Sequence, residues 1–201
     1  MKRTLYSLTL VLALLATCTL SQAQNKNNWF IGAGIGCNMM YDNAKLSPVA
    51  PSGQFYVGDW FTPSFGFRTA LQGILARPAD ARNTWFSDNT AFGLYQLHVD
   101  GLWSFMNTFT TYNPKRVWNP ALYLRFSGFL ASSLGVNKAH VGLGGGWMNQ
   151  FRVNDFMSIA LDLNAILTNE KVFRTDHSGR FVILGSATIG IVFDLGGNRG
   201  F

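Results

Sequence analysis

Residues 98–100 read His-Val-Asp, and a histidine close to a carboxylate is the raw material of a general base. Arg68, Gln72, Arg125, Arg152, Asp162 and Asn164 recur in segments of similar rhythm, so acid–base chemistry, an ion path and a buried ion-pair network are all open at this level. His98, His140 and His177 raise metal binding, but their spacing matches no ligand pattern. The run GLGGGW over 142–147 invites a phosphate-loop reading, yet no Lys-Ser/Thr follows it and no helix pattern begins there. Which chemistry survives depends on the elements that hold these side chains.

Those elements are written in a period of two. In WFIGAGIGCNMMY, residues 29–41, the odd positions are Trp29, Ile31, Ala33, Ile35, Cys37, Met39 and Tyr41, while the even ones include Gly32, Gly34, Gly36 and Asn38. Successive side chains of a strand point to opposite faces, so one face is apolar and the other small or polar. FGFRTALQ (65–72) sets Phe65, Phe67 and Leu71 against Arg68 and Gln72, and YQLHVDGLWSFM (95–106) sets Leu97, Val99 and Trp103 against His98 and Asp100. IALDLNAILT (159–168) sets Leu161 and Leu163 against Asp162 and Asn164. Adding 53–61, 120–131, 140–153 and 181–195 gives eight segments, each long enough to cross a bilayer at a tilt. Asp59 falls on the apolar parity of its segment and is placed near a membrane boundary, where a charge costs little.

The fold class expected is all-β, an eight-stranded antiparallel up-and-down transmembrane β-barrel. Closure satisfies every backbone donor and acceptor within lipid, which an open sheet cannot do. Polar loops are expected after residues 41, 75, 131 and 168, and tight turns after 61 and 153. The connection 109–116 is long for a turn, and parity alone puts it on the side of the tight turns. After residue 23 there is no run of about 18 or more apolar residues, so no membrane-spanning helix is expected.

The barrel decides among the chemistries. His98 and Asp100 share a face but sit roughly 6 to 7 Å apart along their strand. Eight strands enclose a lumen just wide enough to be filled by its own side chains. Charges buried there must pair. Arg68, Gln72, His98, Asp100, Arg125, Arg152, Asp162 and Asn164 are therefore read as a lumenal polar network, with a narrow ion path as the alternative and no catalytic, cofactor-binding or metal-ligating set. The glycines of 142–147 are read as room for large lumenal neighbours or for curvature.

The opening MKRTLYSLTLVLALLATCTLSQAQ has basic residues, a short apolar run, and Ser21 and Ala23 at the places a signal peptidase reads. Residues 1–23 are thus expected to be a removed signal peptide and 24–201 the barrel. Loss of Lys2 and Arg3 lowers the formal charge from +6 to about +4 with no basic run, which excludes a nucleic-acid footprint. Cys37 is then the one cysteine left, so no internal disulfide forms. Trp29, Phe61, Trp118, Phe151 and Phe193 fall at strand ends on one side and Tyr41, Tyr95 and Phe181 on the other, as anchoring girdles would. Loops 76–92, with Trp85 and Phe86, and 168–180 are candidate surface contacts; a loop folded over the barrel mouth explains the two aromatics equally well.

The segment TIGIVFDL, 188–195, resembles the barrel-assembly signal of bacterial outer-membrane proteins: polar Thr188, Gly190, then large apolar Phe193 and Leu195. NWFIGAGIG, VGDWFTPSFGFR, YQLHVDGLWSF, YNPKRVWNP and QFRVNDFMSIALDLNAIL look like the eight-stranded barrel of outer-membrane protein A homologues from Bacteroides-type bacteria. The resemblance spans essentially the whole of 24–201. It implies a Gram-negative outer-membrane location reached through the periplasm, contact with lipid and lipopolysaccharide, insertion by the barrel-assembly machinery, and other outer-membrane proteins as candidate partners. Relatives of this kind usually continue into a peptidoglycan-binding domain, whereas this sequence stops six residues after its signal, so wall tethering is not expected. The function expected is non-enzymatic, a barrel contributing to envelope integrity alone or as an accessory subunit. A small pore and a surface-loop adhesin are the alternatives.

Overall fold

The computed structural model describes residues 28–42, 45–46, 49–75, 94–113, 115–133, 136–169 and 181–195. The proposed signal peptide, Trp85 and Phe86, His177 and the tail after Leu195 lie outside the described residues. The strands are β1 (Trp29–Asp42), β2 (Lys45–Leu46), β3 (Ala50–Trp60), β4 (Phe65–Ile74), β5 (Leu94–Trp103), β6 (Trp118–Ser133), β7 (Val136–Arg152), β8 (Met157–Asn169) and β9 (Phe181–Asp194). Each long strand pairs antiparallel with the next, and β9 returns to β1 from Phe30↔Asp194 to Tyr41↔Ile183. The eight long strands thus close into an up-and-down barrel, and the two-residue β2 merely folds back on the end of β1. No described helix is long and apolar enough to cross a membrane; the wall is made of strands.

The period of two becomes two surfaces. Ile35, Leu124 and Phe181 are 72, 79 and 73 % exposed on the outside, while Arg68, Asp100 and Arg125 inside are at 1, 0 and 1 %. This inverts a soluble protein: apolar groups face out and charge faces in. Cys37 is free and half-buried on the outward face. Phe61, Trp118, Phe151 and Phe193 are exposed at one end of the wall, and Tyr41, Tyr95 and Phe181 at the other.

Inside, two apolar clusters stop the ends. Near the turns at 61–64 and 153–156, Phe30, Tyr56, Trp60, Leu102, Met148 and Val192 pack together; toward the opposite end, Ala50, Ile74, Leu94, Phe129, Ile166 and Leu184 do so with Met40 against them. Large rings find room over glycines of the neighbouring strand. A Cβ added to Gly146 would stand 2.5 Å from Tyr123 Cζ and 2.4 Å from Leu163 O, so the space a side chain would take is filled by the tyrosine.

The structure departs from the sequence expectations in four places. The strand expected over 95–106 ends at Trp103, and Phe105–Phe109 form a short helix, α1. There the chain leaves the ladder because other bonds hold it. Ser104 N–H donates to Ser64 O, Asn107 Nδ2 donates to Pro63 O, and the Arg116 guanidinium donates to Asn107 Oδ1, Thr110 Oγ1 and Thr111 O. These bonds tie the two flanks of the long connection, Asn107–Thr111 and Arg116, to each other and to the 61–64 turn. The polar loop expected after 131 is instead continued ladder, since β6 and β7 pair to Ser133↔Val136.

Asp59 does lie one residue from the end of β3, as a boundary position would, but it is 2 % exposed there, so its charge is covered and not open to water. It stands in register between Trp29 and Phe67, whose rings meet edge to face at 6.0 Å, with Phe61 stacked on Phe67 at 5.3 Å. The fourth departure is Arg152, treated with the lumenal groups below.

Candidate functional site

Register brings the inward charges to one level. Arg68, Asp100 and Arg125 are direct cross-strand partners on β4, β5 and β6. Arg68 Nε donates to Asp100 Oδ2 at 2.8 Å, and Arg125 donates from Nε to Oδ1 at 2.7 Å and from Nη2 to Oδ2 at 2.9 Å. Arg68 Nη1 then reaches across the lumen to Asp162 Oδ2 on β8 at 2.7 Å. Two guanidinium groups thus face two carboxylates and the formal charge cancels, which a buried cluster requires.

Two tyrosines complete this belt. Tyr123 donates a short hydroxyl hydrogen bond to Asp162. Its ring lies against both arginines, 4.9 Å from the Cζ of Arg68 and 4.9 Å from that of Arg125, and Tyr56 lies 5.1 Å from Arg68. The negative ring faces supply attraction where water is excluded. Neither tyrosine figured among the expected network residues. The available signal was parity, because Tyr56 and Tyr123 occupy inward positions of their strands.

One layer toward the Ile74–Leu94 end lies a second, neutral ring that sequence reasoning caught only at Gln72 and Asn164. Gln72 Nε2 donates to Ser52 Oγ at 3.3 Å and to Asn38 Oδ1 at 3.5 Å. Gln96 Nε2 donates to Ser127 Oγ at 3.0 Å, and Asn164 Nδ2 donates to Ser186 Oγ at 3.1 Å. Each of these residues sits two places inward of an apolar residue of the end cluster or of Met40, so an apolar layer is followed by an amide or hydroxyl layer on β1, β3, β4, β5, β6, β8 and β9.

Arg152 is not part of either layer. It donates to Asp155 Oδ1 at 2.6 Å and to Asn154 O at 3.1 Å, and its side chain is 18 % exposed. The alternation continues to the strand's last residue, but there the lumen has ended and the guanidinium turns to the β7–β8 turn.

The residues that suggested a general base, His98 and Asp100, are not arranged as one in the described barrel. His98 Nε2 is 3.7 Å from Asp100, beyond a hydrogen bond, because the carboxylate is engaged by two arginines. Ser127 faces His98 in register, yet its hydroxyl is engaged by Gln96, and all three side chains are at 1 % exposure or less. A nucleophile needs a base within reach and a substrate needs access; this trio has neither.

On β9, Thr188 is buried and its Oγ1 accepts from Gln54 Nε2 at 2.8 Å, while Phe193 and Leu195 are 38 and 58 % exposed on the outside. A Cβ on Gly190 would stand 2.4 Å from Ala33 O, so glycine permits the close approach of β9 to β1 where the barrel shuts. The segment's polar and glycine positions therefore face in and its large apolar ones face out.

Comparison with family models and with curated proteins finds no match. Among solved structures, the chain is similar to Neisserial surface protein A, with a TM-score of 0.56, 13 % identity, and coverage of 86 % of this chain and 100 % of that one. Matches also include Ail, the attachment invasion locus protein of Yersinia pestis, with a TM-score of 0.44, 11 % identity and coverage of 84 and 99 %. The N-terminal β-barrel domain of Pseudomonas aeruginosa OprF matches with a TM-score of 0.48, 10 % identity and coverage of 85 and 100 %. At such identities the likeness is one of fold, and the fold shared with the Neisserial protein is a small closed β-barrel.

Proposed function

We propose that this protein is a non-enzymatic, integral barrel of a Gram-negative outer membrane that contributes to envelope structure, alone or as an accessory subunit of a larger assembly. One observation carries the reading: a ladder closed from β9 to β1 presents apolar side chains outward and keeps its charges inside. Such a wall is soluble in hydrocarbon and leaves no strand edge unpaired within it.

In this reading residues 1–23 direct export and are removed. Thr188, Gly190, Phe193 and Leu195 present the last strand to the barrel-assembly machinery, and the outward rows then meet lipid and lipopolysaccharide. The paired charges and the two apolar clusters favour a structural role over a small pore. Resemblance to the outer-membrane protein A homologues of Bacteroides-type bacteria supports the same placement.

Cell fractionation tests it. The protein is expected in the outer-membrane fraction, to resist alkaline extraction and to need detergent for release. Recovery as a soluble periplasmic protein would end the proposal. Reconstituted barrels are expected to be electrically silent in planar bilayers, and steady conductance would replace the structural reading with the pore.

A further inference from the structure

The connection between β5 and β6 carries a surface that the barrel itself does not cover. Phe109 is 76 % exposed and Val117 63 %, at the two flanks of the connection. The stretch SFMNTFTTYNPKRVWN, 104–119, contains Lys115 and Arg116 and no carboxylate. Among the described residues neither cation belongs to an ion pair. Lys115 is exposed, and Arg116 directs its guanidinium to the neutral oxygens of Asn107, Thr110 and Thr111, which leave its charge uncancelled.

The barrel holds this stretch at its outer rim. Trp103, the last outward residue of β5, donates from Nε1 to Thr108 Oγ1 at 2.9 Å, and its ring meets that of Phe109 edge to face at 6.4 Å. At the other flank Val117 precedes Trp118, the first residue of β6, and its carbonyl accepts from Arg152 N–H at 2.8 Å. Phe109 and Val117 therefore continue the outward apolar rows past the ends of two neighbouring strands, with both cations between them in the chain. The two ends of the described barrel wall lie at the seam of β1 and β9, on the opposite side of an eight-stranded ring.

We infer that the 104–118 connection is a docking surface for anionic phospholipid, with Phe109 and Val117 entering the upper acyl layer and Lys115 and Arg116 meeting the phosphate groups. The inference rests on the bilayer placement proposed above. Continuity with the outward rows selects lipid over a soluble partner, which would have to reach the same residues through the headgroups. Charge then selects the class of lipid. Apolar groups beside uncancelled cations match a surface that is apolar below and negative above. The girdle rings at the strand ends are neutral and do not distinguish headgroup charge; this connection adds a selectivity that they lack.

The test uses the protein refolded in phosphatidylcholine bicelles, with phosphatidylglycerol replacing part of the phosphatidylcholine in steps. NMR cross-peaks to lipid glycerol and acyl protons are read at the Phe109 ring, the Val117 methyls and, as a control on the wall, the methyls of Leu124, an outward residue of β6. Lipid cross-peaks at all three are expected, with saturable shifts at Lys115 and Val117 that appear only with phosphatidylglycerol. Lys115→Gln is expected to raise the midpoint of the Val117 shift about fivefold, the worth of one basic residue at an anionic surface. Lipid contact at Leu124 with only water at Phe109 and Val117 would overturn the inference and leave the membrane placement standing. Shifts identical in the two lipids, or a midpoint that Lys115→Gln does not move, would overturn the anionic selectivity. Absence of lipid contact at Leu124 would overturn the membrane placement and the inference with it.

Discussion

Two arginine–carboxylate pairs in this protein share a chemistry and differ in place. Arg68 and Asp100 are side chains at 1 and 0 % exposure in the lumen; Arg152 and Asp155 are at 18 and 86 % on a turn. The first pair is shared with Arg125, Asp162 and Tyr123, so removing a member strands a charge that water cannot reach. The second is one contact between groups that water already solvates. Burial, and not pairing, therefore sets what each is worth to the fold.

Asp100→Ala gives the sharpest contrast. It leaves Arg68 with Asp162 alone and takes both carboxylate contacts from Arg125, and breaking a buried pair costs about 3 to 5 kcal/mol. Failure to refold, or a stability loss of this size in urea titrations read by the electrophoretic shift of folded barrels, is expected; a loss below about 1 kcal/mol would erase the distinction.

Tyr123→Phe keeps the ring between the arginines and removes only the hydroxyl donated to Asp162. A hydrogen bond to a charged group is worth about 1.5 to 3 kcal/mol, and the lower end is expected because Arg68 still holds the carboxylate. The same titration checks it, and an unchanged midpoint would mean that the tyrosine contributes through its ring alone.

The inside–outside contrast extends to glycines. Gly146→Ala drives a methyl into Tyr123 and the backbone of β8, and an overpacking cost of about 1 to 3 kcal/mol is expected. Gly101 on the outer face has nothing within 4 Å of an added Cβ, so Gly101→Ala is expected to hold or slightly raise stability. Equal losses for the two would show that strand propensity, not lumenal space, explains the glycines.

The smallest effect is assigned to Arg152→Ala, within about 1 kcal/mol and diminished further by salt. A loss as large as that of Asp100→Ala would mean that the turn pair governs folding and would reverse the comparison.

Much of this architecture is legible in the order of residues, and the failures share one cause. Alternation turns Arg68, Gln72, His98, Asp100, Arg125, Asp162 and Asn164 inward, and inward they stand. It assigns Arg152 by the same rule and misleads, because parity says which face a residue takes but not whether the lumen still exists at that height. It extends β5 through Phe105 and Met106 although bonds from the neighbouring turn and from Arg116 draw that stretch into α1. Asn38, Ser52, Gln96, Ser127 and Ser186 were readable as inward by parity, yet nothing in their order marks them as one ring.

The sequence by itself determined that the chain forms strands with one apolar and one polar face, because facing is a local property of an extended backbone. It also determined that the wall must close, since a chain with this outward surface needs every backbone group paired. Which groups meet was decided only by the tertiary structure. Arg68 and Asp162 are 94 positions apart and touch because the register of successive hairpins brings β4 and β8 to one height across a narrow lumen. No local pattern encodes a distance across a barrel; the closing of β9 on β1 does.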